Sequence, residues 1–462
     1  MKEYDVVIIG GGPAGYEAAV SSAHYGLSAA LVEKRDIGGT CVNRGCIPTK
    51  ALLYHSERIA DAQKLDMFGV KTYAEKVDRA ALLAESEQVA AGIRGNIEEL
   101  LKSLNIDIYR GGGCLQADHV VQIDDGQEAP VQIRGKNIIL AAGAVPSLPP
   151  IPGIDCGRVL TSDDILEGRV TDMDSLIIIG GGVIGVELAG YFNNVGTGVT
   201  ILEGLDRLLP GMDKEIGKNV KTIFKKEGIE SVVKAVVTGI REEDGQAVVT
   251  YSTKNKELEI KADYVLCAVG RRPLTEGLFA DGISPEMDGR RVRVDRDFRT
   301  SLPGVYAIGD LAAKIQLEHV AAAQARNCAA VIAGKEKPVD ESLVPSCVYT
   351  SPEIACVGMD AEEAAAAGIE AVDGKAVLFS NGRTMISHSP RSFIKITAEK
   401  SSRRILGARL MCERASDIIS EFTEAVFAGR TVEQMLSMIR PHPTYEEAAA
   451  DALRDLAARL DK

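Results

Sequence analysis

Apolar runs of strand length alternate along this chain with longer stretches whose hydrophobic positions recur at helical spacing, and glycines mark the junctions. Residues 4–9 (Tyr-Asp-Val-Val-Ile-Ile) run directly into Gly10-Gly11-Gly12-Pro13-Ala14-Gly15, and the Ala-rich stretch behind them predicts a helix over 16–30. Residues 176–179 (Leu-Ile-Ile-Ile) run likewise into Gly180-Gly181-Gly182-Val183-Ile184-Gly185, with a helix predicted over 186–193. Elsewhere, strands are predicted at 138–143 and 265–270, each ending in glycine and followed by a Pro-containing connector, at 145–152 and 271–273. A short strand and a Gly309-Asp310 step precede an Ala-rich helix at 318–333. From about 344 the pattern changes to strands at 376–379, 393–397 and 405–410 and helices at 415–428, 431–438 and 446–460.

The two glycine segments form an internal repeat, 170 residues apart from Gly10 to Gly180. In each, the last glycine is followed two positions later by a glutamate (Glu17, Glu187) and 18 positions later by an acidic residue ending an apolar run (Glu33, Glu203). One glycine motif is a weak signal, but the same strand–turn–helix–strand–Glu unit twice predicts two dinucleotide-binding units. Gly10 and Gly180 would make the tight turn, Gly12 and Gly182 would let a pyrophosphate approach the backbone, and Gly15 and Gly185 would let helix and strand pack closely. The pyrophosphate would sit on the free N–H groups at the positive end of the helix. Glu33 and Glu203 would accept hydrogen bonds from adenosine ribose hydroxyls. A carboxylate there repels a 2′-phosphate, so NAD rather than NADP is the expected nicotinamide ligand. The predicted fold class is α/β: two Rossmann-like dinucleotide-binding domains, at 1–144 completed by 271–343 and at 145–270, then a separate α+β domain at 344–462.

A length of 462 residues suits about three domains. With 45% hydrophobic and 26% charged residues, the chain has the composition of a globular protein, not of a disordered or collagenous one. Its net charge of −13 argues against nucleic acid and anionic membrane partners. No apolar run reaches the roughly 18 residues of a membrane span, and no signal or transit peptide is evident, so a cytoplasmic location is expected.

Nine cysteines spread over such a chain argue against a structural disulfide framework. Cys41 and Cys46 stand apart because they are so close. Their spacing matches neither a zinc knuckle nor an iron–sulfur run, and no second pair completes a metal site, so no metal is expected. Five residues of ideal helix rise about 7.5 Å, beyond the roughly 7 Å Cα limit for a disulfide. A bonded pair would therefore need a distorted helix start, for which Gly45 and Gly38-Gly39 give the freedom. In a reducing compartment such a pair reads as a working redox couple.

The stretch Gly38-Gly39-Thr40-Cys41-Val42-Asn43-Arg44-Gly45-Cys46-Ile47-Pro48-Thr49-Lys50 resembles the active-site segment of the pyridine nucleotide–disulfide oxidoreductases. Its continuation Ala51-Leu52-Leu53, and His442-Pro443-Thr444-Tyr445-Glu446-Glu447 near the C-terminus, are more similar to the dihydrolipoamide dehydrogenase branch than to glutathione reductase. The resemblance covers essentially the whole chain. It implies an FAD-containing homodimer, with one FAD per subunit, that oxidises dihydrolipoamide on the lipoyl domain of a multienzyme complex and reduces NAD as co-substrate. Cys41 would exchange with the substrate, and Cys46 would lie against the flavin. Lys50 would lie near the reactive flavin nitrogen, paired with Glu187. His442 would act as general base across the dimer interface, oriented by Glu447. Asp310 would bind the ribityl chain, the main chain at Glu318 and His319 would line the flavin ring, and Gly113 would face the adenine. Val236 and Gly270 would contact NAD. The domain at 344–462 would form the dimer interface.

The chain departs from the family pattern at four places: Arg44 stands for an apolar residue, Glu318 for a small one, Arg440 for a histidine and Leu274 for an asparagine. Arg44 and Glu318 are positioned to alter thiol pKa or substrate preference. Two other readings stand beside the main one, an NADH-dependent reductase of another small disulfide and a non-catalytic flavoprotein scaffold. Intact Cys41, Cys46, Lys50, Glu187, His442 and Glu447 weigh against the scaffold.

Overall fold

Strand Lys2–Ile9 is the axis of the first sheet, pairing in parallel with Ala29–Glu33 on one side and Val131–Leu140 on the other. Asp107–Arg110 extends the sheet beyond Ala29–Glu33, and Val305–Ala307 pairs in parallel with the end of Val131–Leu140. Val120–Asp124 and Gly112–Leu115 continue it antiparallel. All five residues of Ala29–Glu33 are buried, as expected of a parallel strand covered on both faces. On one face Ala14, Ala18, Ala321 and Ala325 belong to a common core, so helices Pro13–His24 and Glu318–Ile332 approach closely through small side chains.

The computed structural model describes residues 1–71, 76–127 and 129–462. They divide into two units, Met1–Pro149 with Leu160–Asp172 and Val269–Glu341, and Pro150–Val159 with Met173–Ala268 and Ser342–Lys462. The sequence reading placed 160–172 within 145–270, but this segment belongs to the first unit. Asp163 pairs with Arg271 at 3.0 Å and Glu167 with Arg35 at 2.6 Å, ion pairs between residues distant in sequence.

The second unit holds three sheets around two separate cores. Ser175–Ile179 pairs in parallel with Gly198–Glu203 and Tyr264–Cys267, and Glu230–Val233 pairs with Gly198–Glu203. An antiparallel sheet of Val236–Glu243, Gln246–Thr253 and Lys256–Ala262 shares their core. The C-terminal part is a five-stranded antiparallel sheet, with Ile405–Met411 between Ile354–Gly358 and Phe393–Glu399. Helices Ala415–Phe427 and Ala448–Leu460 contribute Phe422, Leu453 and Leu456 to its core.

Two of the boundaries that differ from the pattern have a compositional cause. The first helix ends at His24, because Gly26 has φ +76° and Ala29 and Ala30 are strand residues. Alanine suits a helix and a tightly covered strand equally, so periodicity misplaced them. The strand expected at 376–379 is Ala371–Val377, whose first half carries too few apolar residues to announce itself.

Candidate active site

Both glycine turns have the geometry their spacing implies. Gly10 and Gly180 sit at φ +111° and +109°, and a Cβ on Gly15 would lie 1.7 Å from the Gly10 carbonyl oxygen. The corresponding distance from Gly185 to the Gly180 oxygen is 2.0 Å. Gly12 and Gly182 cap their helices without a side-chain hydrogen bond, leaving the helix N-termini to the backbone N–H groups. The two acidic residues repeat each other as well. Glu33 accepts from the N–H of Gly11 at 2.6 Å and of Arg35 at 2.7 Å, and Glu203 accepts from Gly181 at 2.6 Å and Leu205 at 2.7 Å. Each buried carboxylate is thus held against its own glycine turn, with lone pairs left over for a ribose.

The thiol segment reaches this turn through backbone contact. Gly38 and Gly39 have φ +91° and +56°, and a Cβ on Gly39 would lie 2.6 Å from Gly12 Cα. Helix Gly39–Arg44 then stops at Gly45, where a Cβ would lie 2.8 Å from the Thr40 oxygen, and a second helix, Cys46–Ala62, begins. The break answers the geometric requirement that a straight helix could not meet. It brings the two thiols together, with Cys41 donating a hydrogen bond to the Cys46 sulfur. That bond, and with it the charge of Lys50 one turn along the second helix, lowers the Cys46 pKa against the opposing effect of burial. The same bond, burial and the neighbouring Glu318 raise Cys41. Between the two, the surroundings favour the proton on Cys41 and the charge on Cys46.

Asp310 lies in the turn Gly309–Leu311 and does not cap the following helix, whose N-cap is Leu317. Burial raises its carboxyl above the usual carboxylate range, and that carboxyl has no hydrogen-bond partner among the described residues. Gly309 donates to Gln324 Oε1 at 2.9 Å, fixing the turn to the helix behind it. Glu318 and His319 are the first two residues of that helix. Gly113 lies where a Cβ would meet Ile9 Cγ2 at 2.9 Å and Val32 Cγ1 at 3.1 Å. Gly270 adopts φ +111°. An unsubstituted helix N-terminus, a buried ribose-type acid and a half-buried carboxyl lacking a partner fit a flavin dinucleotide along this unit.

In the second unit Glu187 is 3% exposed and accepts from the Tyr349 N–H at 3.0 Å, and Val236 is an exposed strand-end residue. His442, joined to Pro443 by a cis peptide, points Nδ1 at Glu447 Oε2 at 2.7 Å. Its side chain is 77% exposed, so Nε2 faces outward. Asn381, which no sequence pattern announced, donates to Glu447 Oε1 at 3.2 Å and to the Thr444 carbonyl at 2.9 Å.

Three of the four departures from the family pattern have structural partners. Arg440 is buried and ion-paired with Glu421, tying the segment before His442 to the helix Ala415–Phe427. Arg44 is buried too, with its guanidinium 3.7 Å from Asp36 and 3.9 Å from Glu167. The Leu274 N–H donates to the Gly143 carbonyl at 3.0 Å. Among the described residues no cluster of His, Cys, Asp and Glu could hold a metal ion, and no helix is long and apolar enough to cross a membrane.

Residues 4–325 match the family described as pyridine nucleotide-disulphide oxidoreductase, and residues 344–453 match its dimerisation domain. The chain is 36% identical over 453 residues to a dihydrolipoyl dehydrogenase of Geobacillus stearothermophilus, covering 97% of this chain and 95% of that one. It is 36% identical over 470 residues to dihydrolipoyl dehydrogenase 3 of Pseudomonas putida, covering 100% and 99%. Among solved structures, LpdA of Mycobacterium tuberculosis superposes with a TM-score of 0.89 at 25% identity, over 98% of this chain and 99% of that one. The HOCl-induced flavoprotein disulfide reductase RclA of Escherichia coli, solved as a Cu(II) complex, superposes with a TM-score of 0.87 at 28% identity, over 99% and 100%.

Proposed function

The chain belongs to the pyridine nucleotide-disulphide oxidoreductase family, and from that premise we propose that it oxidises dihydrolipoamide on a lipoyl domain, with FAD as cofactor and NAD as co-substrate. The observation that carries the reading is the thiol pair brought together across the Gly45 break, with Lys50 one turn along the second helix.

In the oxidised enzyme a substrate thiolate attacks the Cys41 sulfur, the Cys41–Cys46 bond breaks, and Cys46 leaves as a thiolate. Lys50 stabilises that leaving group. The second substrate thiol then closes the lipoyl disulfide by attacking its own sulfur in the mixed disulfide, and Cys41 departs. The protons released need a base, a role that His442 of the partner subunit would fill through Nε2, with Nδ1–H held by Glu447. FAD, when bound, supplies the two-electron acceptor between the thiols and the nicotinamide. Gly10, Gly12, Gly15, Glu33, Gly113, Asp310 and the main chain at Glu318 and His319 would hold it. Gly180, Gly182, Gly185, Glu187, Glu203, Val236 and Gly270 would hold NAD. In this reading residues 1–144 with 160–172 and 271–343 form the FAD domain, 145–159 with 173–270 the NAD domain and 344–462 the interface of a homodimer in the cytoplasm. The lipoyl-bearing partner would be a 2-oxo acid dehydrogenase or glycine cleavage complex.

The likeness to RclA supports a second reading, NADH-dependent reduction of another small disulfide. The test is NADH formation on mixing the flavoprotein with dihydrolipoamide and NAD, with NADP in parallel. Turnover with NAD far above NADP supports the first reading. Slow dithiol oxidation beside rapid NADH-dependent disulfide reduction transfers the assignment to the second.

A further inference from the structure

Glu318 is the first residue of the helix Glu318–Ile332, which lies along Pro13–His24. The charged and titratable groups around it are Tyr16 and Glu17 on the facing helix and His319 and Arg326 on its own. Both Cys41 and Cys46 lie within reach of its charge, and Lys50 acts on the same two sulfurs. These charges do not cancel evenly. Arg326 Nε is 3.5 Å from Glu17 Oε2, so that cation is matched by Glu17. Lys50 stands on the Cys46 side, one turn along the same helix, where the Cys46 thiolate matches it. Glu318 is half-buried, and its carboxylate makes no hydrogen bond or ion pair among the described residues. Burial pushes its own pKa up, and once ionised it adds a negative charge at Cys41 that no direct ion pair neutralises.

We propose that Glu318 is a specificity-determining residue: its carboxylate places a negative field at the Cys41 sulfur, so that the site accepts uncharged dithiols and disulfides and turns away anionic ones. The inference rests on the reading of Cys41 as the exchanging thiol and names the charge class of its substrate. A lipoyl group joined to a carrier through an amide has lost its carboxylate and is neutral. Free dihydrolipoate and glutathione disulfide keep theirs, and like charges brought together in a partly desolvated site repel far more than in water.

The test reads charge selectivity with and without turnover. Reduced holoenzyme at mildly alkaline pH is alkylated with iodoacetamide, which is neutral, or iodoacetate, which is anionic, and modification of Cys41 is followed by peptide mass spectrometry. Both reagents meet the same thiolate fraction, so the ratio of their rates reports charge and not thiol pKa. Glu318→Gln should lower the preference for the neutral reagent by about fivefold, and Glu318→Lys should lower it further, with added salt narrowing the wild-type ratio. The same variants should narrow the kcat/KM ratio of dihydrolipoamide over dihydrolipoate in parallel. Alkylation ratios that stay within twofold of wild type in both variants overturn the proposal. Wild-type protein that turns over no dithiol, yet shows the shift in alkylation ratio, overturns the functional reading and leaves the charge selectivity standing.

Discussion

His442 Nδ1 lies 2.7 Å from Glu447 Oε2, and the other oxygen of that carboxylate accepts from Asn381 at 3.2 Å. The carboxylate thereby fixes the tautomer with hydrogen on Nδ1 and turns the Nε2 lone pair outward, the state a general base requires. His442→Ala should reduce kcat/KM for dihydrolipoamide by about 10²- to 10⁴-fold. Glu447→Gln should lose less, because the amide oxygen still accepts from Nδ1 but no longer carries the charge that balances the imidazolium. Asn381→Ala should give a smaller loss of the same kind. An unchanged kcat/KM in Glu447→Gln would remove the orienting role.

The matched glycine turns predict unequal consequences for two equivalent substitutions. Gly15→Ala and Gly185→Ala each force a Cβ into a carbonyl oxygen, at 1.7 and 2.0 Å. Each should destabilise its own turn by about 3 kcal/mol. Flavin absorbance per chain should collapse in Gly15→Ala and persist in Gly185→Ala, whereas NAD titration should fail in Gly185→Ala. Loss of flavin in both variants would contradict the assignment of the two turns.

Glu203 is buried and anionic acceptance from two backbone N–H groups holds it in place. Glu203→Gln keeps one acceptor oxygen but leaves one N–H facing an amide, costing about 1–3 kcal/mol of stability. It also removes the charge that repels a 2′-phosphate. The NAD over NADP ratio of kcat/KM should fall by at least about tenfold. Steady-state assays with both nucleotides decide this, and an unchanged ratio would place the discrimination elsewhere.

Lys395 reaches Asp213 at 2.8 Å and Glu215 at 3.3 Å, joining the helix Lys214–Glu227 to the strand Phe393–Glu399 of the C-terminal sheet. Burial acts to raise the Asp213 carboxyl, but Lys395 and the Glu215 N–H outweigh it and lower the pKa. A depressed carboxylate contributes stability above its unfolded pKa, near 3.9, and loses it as pH falls through the folded value. Thermal melts of the second unit within the holoenzyme should therefore drop between about pH 4 and the folded pKa. Lys395→Met, which leaves Asp213 half-buried without its cation, should cost about 3 kcal/mol at neutral pH. It should also flatten that acid limb.

Much of the chemistry was readable along the chain. The glycine turns, the acids that end their strands and the pair Cys41 and Cys46 answer to local rules: φ signs, Cβ collisions and the rise of a helix act within a few residues. The requirement that a bonded Cys41–Cys46 pair break its helix followed from rise per residue alone, and the structure meets it at Gly45. Ala29 and Ala30 escaped the same logic, because alanine carries no preference between a helix face and a tightly covered strand.

What lay beyond the linear pattern depends on residues far apart meeting. Asn381 supports Glu447 across 66 positions, Lys395 finds Asp213 across 182, and Asp163 draws the segment 160–172 to Arg271 across 108. Asn381, Lys395, Asp213 and Asp163 have no periodicity or motif, since a polar side chain acquires its partner only when packing removes the water that would otherwise serve as one. The two thiols likewise have near-equal claims to a proton in the chain, and the folded surroundings of Cys41, Lys50 and Glu318 divide them. Local sterics thus set which units form and what they can bind. Desolvation and long-range charge pairing, which exist only in the folded chain, set how each functional side chain is oriented and protonated.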